Sequence, residues 1–389
     1  MRIPLANNLV TRDGTLTKDA KIVNGFVESR GDDSAVFKRP GTTNLGPVGT
    51  GLGQLLTTWN ESIYSVVGDE LGQSLATSGS FTGRRLFCAI ATQSNNISAI
   101  SPDGATWTLG GFPAVDNWTG IAWNGTVFCA IAGTDAIPPG PGSTNAATST
   151  DGLSWTLRTL PVSASWSAIA WNGSVFCSVA YNSTIAATSP DGITWTQRTL
   201  PVSTGWISIA WNGVNFVALS ETGSGIAATS PDGITWTQQV FSTTGNSGGL
   251  VASNENFYFV NSGLNAGKSV NNGVGWLAGT LPGSGDFWRG VATNSDSSVI
   301  VAVSTISNSY RGAISSDGIT WTPITTPAAY WRTVVHNGFE FCAISGGYRD
   351  AVTLVTSNIA ATSLDGVTWT QRTLPASANW SAMCVGQVL

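Results

Sequence analysis

Few residues of this 389-residue chain have the types and spacing that catalysis requires. His336 is the only histidine, and it has the position that Trp123, Trp171 and Trp211 have in similar segments. A histidine that replaces a repeated aromatic residue is predicted to be structural and not a general base. One histidine without a carboxylate cluster does not make a zinc site. The sequence therefore predicts no metal and no cofactor.

The arginines recur along the chain instead of converging. Arg158, Arg198 and Arg372 each lie in a T-x-R-T-L-P segment, and Arg289 and Arg332 each follow a tryptophan. A glycosidase that holds a carboxylated sugar needs several arginines in one place, with a tyrosine and acidic partners. Residues related by a repeat are spread apart by its symmetry, so we predict that the protein is not an enzyme.

The cysteines show the same regularity. Cys88, Cys129, Cys177 and Cys342 each follow a phenylalanine, and no metal-ligand spacing connects them. We expect them to be reduced, buried and apolar in character. Cys384 stands apart, near the C-terminal end of the sequence.

Charge and composition exclude some classes of function. The net charge of −5 argues against a surface that grips nucleic acid. Residues 1–40 carry seven Lys/Arg and five Asp/Glu, whereas residues 41–389 carry ten and seventeen. No apolar run reaches membrane-spanning length, and no secretory signal is seen, so no membrane insertion is expected. The 46 glycines are typical of short strands and many turns.

The pattern Ser-x-Asp-Gly-x-x-Trp recurs at intervals of 40 to 48 residues. Such a period predicts a solenoid or a propeller. A further copy, SVNNGVGW, has asparagine in place of aspartate. We predict that these residues form a turn and a packing plug. They are Asp103, Trp107, Asp151, Trp155, Asp191, Trp195, Asp232, Trp236, Asn272, Trp276, Asp317, Trp321, Asp365 and Trp369.

Residues 166–201 show one complete unit, with four β-prone runs. The first two runs are joined through Asn172-Gly173, which is a strong hairpin signal. The last two are joined through residues 189–192, Ser-Pro-Asp-Gly, which favour a type I turn closed by glycine. Four antiparallel strands in each unit predict a propeller blade. Its tryptophans suit packing between neighbouring sheets.

The repeated motif resembles the Asp-box of sialidases and related propellers, Ser-x-Asp-x-Gly-x-x-Trp. Most copies here lack the residue between Asp and Gly, and only SVNNGVGW keeps the longer spacing. In that family the motif lies at the blade periphery, away from the catalytic centre. The resemblance therefore implies a fold and no particular chemistry.

The predicted fold is all-β: a β-propeller of seven blades, each of four antiparallel strands. The C-terminal segment WSAMCVGQVL is expected to pair with the first regular unit, at 84–109, which lacks an opening strand. Ring closure of this kind removes free sheet edges. Residues 54–80 look like a worn copy of three strands, so eight blades are the alternative.

Two segments are predicted. Residues 1–50 form an extended N-terminal docking arm, and residues 51–389 form the propeller, with regular blades from about residue 82. The arm is more charged than the rest and too short for its own core. Its candidate docking residues are Arg12, Lys18, Lys21, Lys38 and Arg39.

The arm also carries a family resemblance. It contains, in order, TRDG at 11–14, LTKDA at 16–20, VNGFVE at 23–28 and KRPG at 38–41. This series is similar to the start of tail hub or nozzle proteins of short-tailed bacteriophages, the packaged-DNA-stabilization family. The resemblance covers about the first 75 residues.

The resemblance implies a structural virion protein, made in the host cytoplasm and built into the phage tail. It implies a homo-oligomer of six copies, in contact with the adaptor, the portal and other tail proteins. Such a hub forms part of the DNA exit channel and retains packaged DNA until ejection, without sequence-specific binding. The alternative is a carbohydrate- or receptor-binding propeller module. Loops 132–146 and 345–356 are the best candidates for a binding face or a subunit contact.

Overall fold

The structure is a computed structural model, and the part of the chain that it describes is β-structure. The chain divides into two units, Met1–Gly83 and Arg84–Leu389. No helix in the described part is long and apolar enough to cross a membrane. The described residues are 84–92, 95–133, 142–221, 225–240, 247–253, 256–261, 265–283, 287–305, 312–349 and 354–388, with seven short strands before residue 84.

The first unit contains three small antiparallel assemblies. β1 pairs with β2, β3 with β4, and β6 lies between β5 and β7. Of the candidate docking residues, Lys21 lies in β2, and Arg12, Lys18, Lys38 and Arg39 lie outside the described residues. The strands are β1 (Val10–Thr11), β2 (Ala20–Lys21), β3 (Phe26–Arg30), β4 (Asp33–Phe37), β5 (Leu55–Trp59), β6 (Ser62–Val67) and β7 (Glu70–Gln73).

The second unit is built of short strands joined mostly by tight turns. In chain order they are β8 (Arg84–Thr92), β9 (Asn95–Ser101), β10 (Thr108–Asp116), β11 (Trp118–Trp123), β12 (Phe128–Ala132), β13 (Ser143–Ser149), β14 (Thr156–Ala164), β15 (Trp166–Trp171), β16 (Phe176–Ser189), β17 (Thr196–Trp211), β18 (Phe216–Ser220), β19 (Ile226–Ser230), β20 (Thr237–Val240), β21 (Ser247–Ser253), β22 (Asn256–Asn261), β23 (Asn265–Val270), β24 (Gly275–Thr280), β25 (Trp288–Thr293), β26 (Ile300–Ser304), β27 (Gly312–Ser315), β28 (Thr322–Ile324), β29 (Trp331–His336), β30 (Phe341–Ser345), β31 (Tyr348–Arg349), β32 (Leu354–Val355), β33 (Ser357–Ser363) and β34 (Thr370–Val388).

Antiparallel pairing arranges these strands in consecutive four-strand groups. Strands β11–β14, β21–β24 and β25–β28 are separate four-stranded sheets. Long strands serve two groups at once: β17 pairs with β16 before Trp206 and with β18 from Trp206 onward. In the same way β34 pairs with β33 through Ser357↔Ala378 and with β8 from Asn379 onward. The C-terminal segment thus supplies the opening strand of the group that contains β8, β9 and β10.

The first strands of neighbouring groups contact one another around a ring. They are the C-terminal half of β34, β11, β15, the C-terminal half of β17, β21, β25 and β29, and β29 contacts β34 again. Each first strand shifts register next to its opening residue, as a β-bulge does. Bulges increase local twist. This radial arrangement of four-strand sheets is a β-propeller.

The core lies between the sheets and is anchored by the tryptophans that open the first strands. Trp118, Trp166, Trp206, Trp288, Trp331 and Trp380 are fully buried, as the sequence predicted for packing residues. Four of their indole N–H groups donate to the carbonyl four residues earlier, for example Trp206 to Val202 at 3.1 Å. Each tryptophan therefore fills the space between sheets without leaving its polar atom unpaired at those four positions.

The buried hydroxyl of Ser178, in contrast, is not paired in this way. Ser178 in β16 lies where equivalent strands have Ala89, Ala130, Ala218 and Ala302. Its Oγ is buried and has no hydrogen-bond partner among the described residues. An unpaired buried hydroxyl costs about 1–3 kcal/mol.

We therefore predict that Ser178→Ala raises the midpoint temperature of thermal unfolding by roughly 2 °C, since a chain of this size gains about that much per kcal/mol. The reverse change at an equivalent site, Ala130→Ser, serves as the control and should lower the midpoint. A lower midpoint for Ser178→Ala would contradict the prediction.

Candidate functional site

The Asp-Gly turns are held by one repeated hydrogen-bond pattern. In the turn of Asp151, its carboxylate accepts the backbone N–H groups of Leu153 (2.9 Å) and Ser154 (2.8 Å). The Ser149 hydroxyl donates to that carboxylate at 2.9 Å and accepts the N–H of Gly152 at 2.8 Å. The two carboxylate bonds to turn N–H groups recur at Asp103, Asp191, Asp232, Asp317 and Asp365.

The hydrogen bonds also fix the charge of these carboxylates. Burial raises the pKa of Asp151, but the N–H groups of Ser154 and Leu153 and the Ser149 hydroxyl outweigh it, and the pKa is lowered. The pKa is lowered for similar reasons at Asp191, Asp232, Asp317 and Asp365. These carboxylates are ionised at neutral pH and are used as turn acceptors, so they make poor general acids.

The glycine of each turn has a backbone conformation that L side chains rarely adopt, with φ between +61° and +91°. We call Gly104, Gly152, Gly192, Gly233, Gly273, Gly318 and Gly366 the turn glycines. In six of the turns the following tryptophan donates its indole N–H to the glycine carbonyl, at 2.8–3.2 Å. The tryptophan therefore closes the turn as well as filling space.

Each turn glycine packs against the second strand of the preceding group. A Cβ added to Gly233 would lie 3.0 Å from Thr188 Cγ2 and 3.2 Å from Cys177 Sγ. We call the residue at the Cys177 position the socket. The glycine–socket pairs are Gly104–Cys342, Gly152–Cys88, Gly192–Cys129, Gly233–Cys177, Gly273–Val217, Gly318–Tyr258 and Gly366–Val301.

This contact gives the regular cysteines a role that the sequence did not reveal. The sequence predicted small, buried, reduced residues; all five cysteines are free thiols, and the four that follow phenylalanine are buried. What was missed is that these thiols contact the turn of the next group. The Phe-Cys pairs and the Asp-Gly turns recur with a similar period in the sequence. The period alone does not show which cysteine contacts which turn.

The seventh copy of the motif is bonded differently. Asn272 Oδ1 accepts from Asn212 Nδ2 at 2.9 Å, and the Asn272 carbonyl accepts from Asn215 Nδ2 at 3.2 Å. Both donors belong to the Asn-Gly turn of the preceding group. Trp276 is half-buried and meets Phe259 edge-on, with ring centroids 5.4 Å apart. Asn272 thus bonds to the neighbouring turn, while within its own turn the Val274 N–H donates to the Asn271 carbonyl at 3.2 Å.

The arginines are spread around the ring. Arg158 Nε donates to Thr148 Oγ1 at 3.0 Å, and the same bond joins Arg198 to Thr188 and Arg372 to Thr362. These three pairs lie in different groups and do not form a common site. Arg289 and Arg332, in contrast, lie on the neighbouring first strands β25 and β29.

His336 is part of an aromatic pair. Its ring lies 4.5 Å from that of Phe341, and its Nδ1 accepts the N–H of Gly338 at 3.1 Å. Equivalent Trp–Phe pairs include Trp171 and Phe176, 4.7 Å apart. Burial lowers the pKa of His336 to about 4; Arg85 acts in the same direction and Asp296 opposes it. The imidazole is therefore neutral at pH 7.

Other candidate sites are limited to what the structure describes. In the described part of the chain, no group of three or more His, Cys, Asp or Glu residues is placed to hold a metal ion. Of the two insertion loops, residues 134–141 and 350–353 lie outside the described residues. Within the second loop, β31 and β32 pair with each other.

Comparison with known proteins supports the fold and goes no further. No family model matches the chain, and no curated protein matches it. Several solved structures are similar in fold. A streptogramin B lyase structure is 12% identical, with a TM-score of 0.51, covering 75% of this chain and 89% of that one. A catalytically inactive virginiamycin B lyase from Staphylococcus aureus, with quinupristin, is 12% identical, with a TM-score of 0.53, covering 83% and 98%.

YCF48 from Cyanidioschyzon merolae is 13% identical, with a TM-score of 0.48, covering 67% of this chain and 87% of that one. At such identities the two lyases share with this chain the β-propeller fold alone. Their lyase activity belongs to those proteins.

The socket contact predicts a specific cost for a methyl group at a turn glycine. Gly233→Ala adds a strained left-handed alanine and a Cβ close to Thr188 and Cys177. The strain costs about 1–2 kcal/mol and the overpacking about 1–3 kcal/mol. The matched control is Gly213→Ala, because Gly213 has φ +97° and nothing within 4 Å of an added Cβ.

Unfolding in urea should therefore show a larger loss of free energy for Gly233→Ala than for Gly213→Ala. Equal losses would mean that the glycine is needed for its backbone conformation only, and that the socket contact is unimportant.

His336 predicts a pH dependence. Its folded pKa of about 4 lies below the ordinary value of 6.5, so its contribution to stability is present above about pH 6.5 and is lost as pH falls towards 4. His336→Trp restores the residue of the equivalent groups and removes this proton site. Between pH 7.5 and 4.5, the unfolding temperature of the variant should fall less than that of the wild type; an equal fall contradicts the assignment.

Proposed function

We propose that this chain is a structural virion protein of a short-tailed bacteriophage, a tail hub or nozzle that forms part of the DNA exit channel and retains packaged DNA. The observation that carries the proposal is the ordered series of short motifs between residues 11 and 41 that resembles this family. The protein is proposed to be non-catalytic and to work without a cofactor.

The polar residues of the propeller support a structural role. The turn aspartates accept backbone N–H groups, and three of the repeated arginines donate to threonines on the neighbouring strand of their own group. These aspartates and arginines are thereby engaged in holding their own turns and sheets together. A set of rigid, interlocked sheets is suited to forming part of a wall.

We propose further that the propeller has seven blades and is closed by the C-terminal strand. The seven glycine–socket pairs support this count, because each group meets the preceding one and Gly104, in the first, meets Cys342, in the last. The ladder between Asn379–Val388 and β8 supplies the strand that closes the cycle. Strands β5–β7 are not needed to complete it, which disfavours the eight-blade alternative.

The charge distribution is compatible with a channel wall. Residues 41–389 carry ten Lys/Arg against seventeen Asp/Glu. Each cation that binds a phosphate adds counterion release to the attraction for DNA, so an acidic body lets DNA pass. The arm, with seven Lys/Arg against five Asp/Glu, is proposed to dock on neighbouring subunits, the adaptor and the portal. Head-to-tail docking builds a ring where the rotation between copies closes, and here we propose a ring of six copies.

The proposal is tested by mixing the full-length protein with the portal and adaptor proteins of a phage that encodes it and imaging the particles by cryo-electron microscopy. We expect six copies in a ring on the adaptor. The arm variant Lys18→Gln/Lys38→Gln/Arg39→Gln should fail to assemble while its propeller unfolds at the wild-type temperature.

The matched control makes the same change of charge at exposed positions of the propeller, Gln197→Glu/Gln238→Glu/Gln371→Glu, and should assemble. If the protein stays monomeric, does not bind the adaptor and binds specific sugars on a glycan array, the tail proposal is overturned. A carbohydrate-binding module would then be favoured.

A further inference from the structure

Two cysteines face each other where the ends of the propeller meet. In the ladder between β34 and β8, Cys384 is the register partner of Cys88. Directly opposed residues of antiparallel strands lie on the same face, with Cα atoms about 4.5–5.5 Å apart, and disulfides span about 4.4–6.8 Å. Both thiols are free, and both belong to one apolar cluster that includes Trp118 and Phe128.

We call the pairing of β34 with β8 the closing ladder. Among the described pairs of first and second strands, it is the one in which two cysteines face each other. The corresponding partners elsewhere are Ala122↔Cys129, Ala170↔Cys177, Ala210↔Val217, Val251↔Tyr258, Ala292↔Val301 and Val335↔Cys342. A second cysteine thus replaces a small or branched apolar residue at one place only.

The two strands of the closing ladder, β34 and β8, are not joined by a turn. In other groups the first and second strands are joined by a short turn, as Asn172-Gly173 joins β15 to β16. β8 begins the second unit and the last part of β34 ends it, so only hydrogen bonds and packing hold these two strands together. A bond between Cys88 and Cys384 would replace the missing turn.

We propose that Cys88 and Cys384 form an oxidation site whose disulfide closes the propeller covalently. Two S–H bonds break and one S–S bond forms. The two protons and two electrons pass to a peroxide, and hydrogen peroxide is reduced to two molecules of water. The inference concerns ring closure and does not depend on the role in a phage tail.

The surroundings of the thiols set the rate. Burial raises the pKa of Cys88, and burial together with the neighbouring Cys88 and Cys129 raises that of Cys384. Since the thiolate is the reactive form, the closed ring oxidises slowly. Oxidation is faster while the closing strand is undocked, during folding or on local opening of the ladder.

The expected consequence is a large gain in stability. The cross-link would close a loop of roughly 300 residues, and the entropic benefit grows with loop length. For a domain of this size we expect the unfolding temperature to rise by roughly 5 °C or more.

The test uses the full-length protein, unfolded in urea with reductant and refolded with hydrogen peroxide. Thiols counted in denaturant should fall from five to three, and peptide mapping should show Cys88 linked to Cys384. The unfolding temperature should rise and return to its reduced value with dithiothreitol. The native reduced protein should react more slowly, and mild urea should accelerate it.

Two variants provide the controls. Cys384→Ala introduces the alanine found at Ala122 and Ala170 and should abolish both the cross-link and the temperature rise. Cys177→Val introduces the residue that the chain itself has at the equivalent position, Val217, and should keep both. Refolded protein that retains five thiols, or that links Cys129 to Cys384, would overturn the proposal; the peptide map of the wild type decides this even where a variant fails to fold.

Discussion

The propeller depends on the contact between each turn glycine and the socket of the preceding group. In six of the seven turns an aspartate holds a conformation that presents bare backbone, at a positive φ, to the neighbouring sheet. A Cβ there would lie 2.3–3.2 Å from the socket side chain, closer than the 3.4–4 Å of ordinary van der Waals contact. The sheets can therefore approach closely because the turn has a glycine, which has no Cβ atom, at this position. Because each group both offers a turn and provides a socket, the contact repeats from sheet to sheet.

The same contact explains why the repeated polar residues do not form a reactive site. Thr148 illustrates this: its hydroxyl accepts from Arg158, while its methyl group lies against Gly192 of the next group. One threonine thus connects the outer strand of its own sheet with the turn of the next. A residue that is engaged at both ends is held in one rotamer. Function in such a molecule is expected on parts that break the repeat.

Much of this fold could be predicted from the sequence because its signals are local. Asn172-Gly173 and the Asp191-Gly192 turn determine hairpins through backbone conformation, and the β34–β8 ladder follows from a unit that lacks its opening strand. The glycine–socket contact could not be predicted, because Gly192 and Cys129 are far apart in sequence and only the packing of two sheets brings them together. Asn272 shows the same limit. Its motif resembles the other copies, yet its side chain bonds to Asn212 of a neighbouring turn, and no local rule specifies that partner. The docking role of the arm stays a prediction from resemblance.

The closing ladder between β34 and β8 has contacts very similar to those of the ladders whose two strands are joined by a turn. The Ser381 hydroxyl donates to the Trp118 carbonyl at 2.7 Å, as Ser167 does to Trp206 at 2.7 Å and Thr119 to Trp166 at 2.8 Å. Trp380 is as fully buried as the other opening tryptophans. In these two features the β34–β8 ladder matches the others, and it differs from them in chain connectivity. A strand without a turn gains the most entropy when it detaches, so under the proposal of covalent closure we expect local opening to begin at this ladder. A second cysteine at this ladder, and at no other described first-strand ladder, stands where covalent closure would have the largest effect.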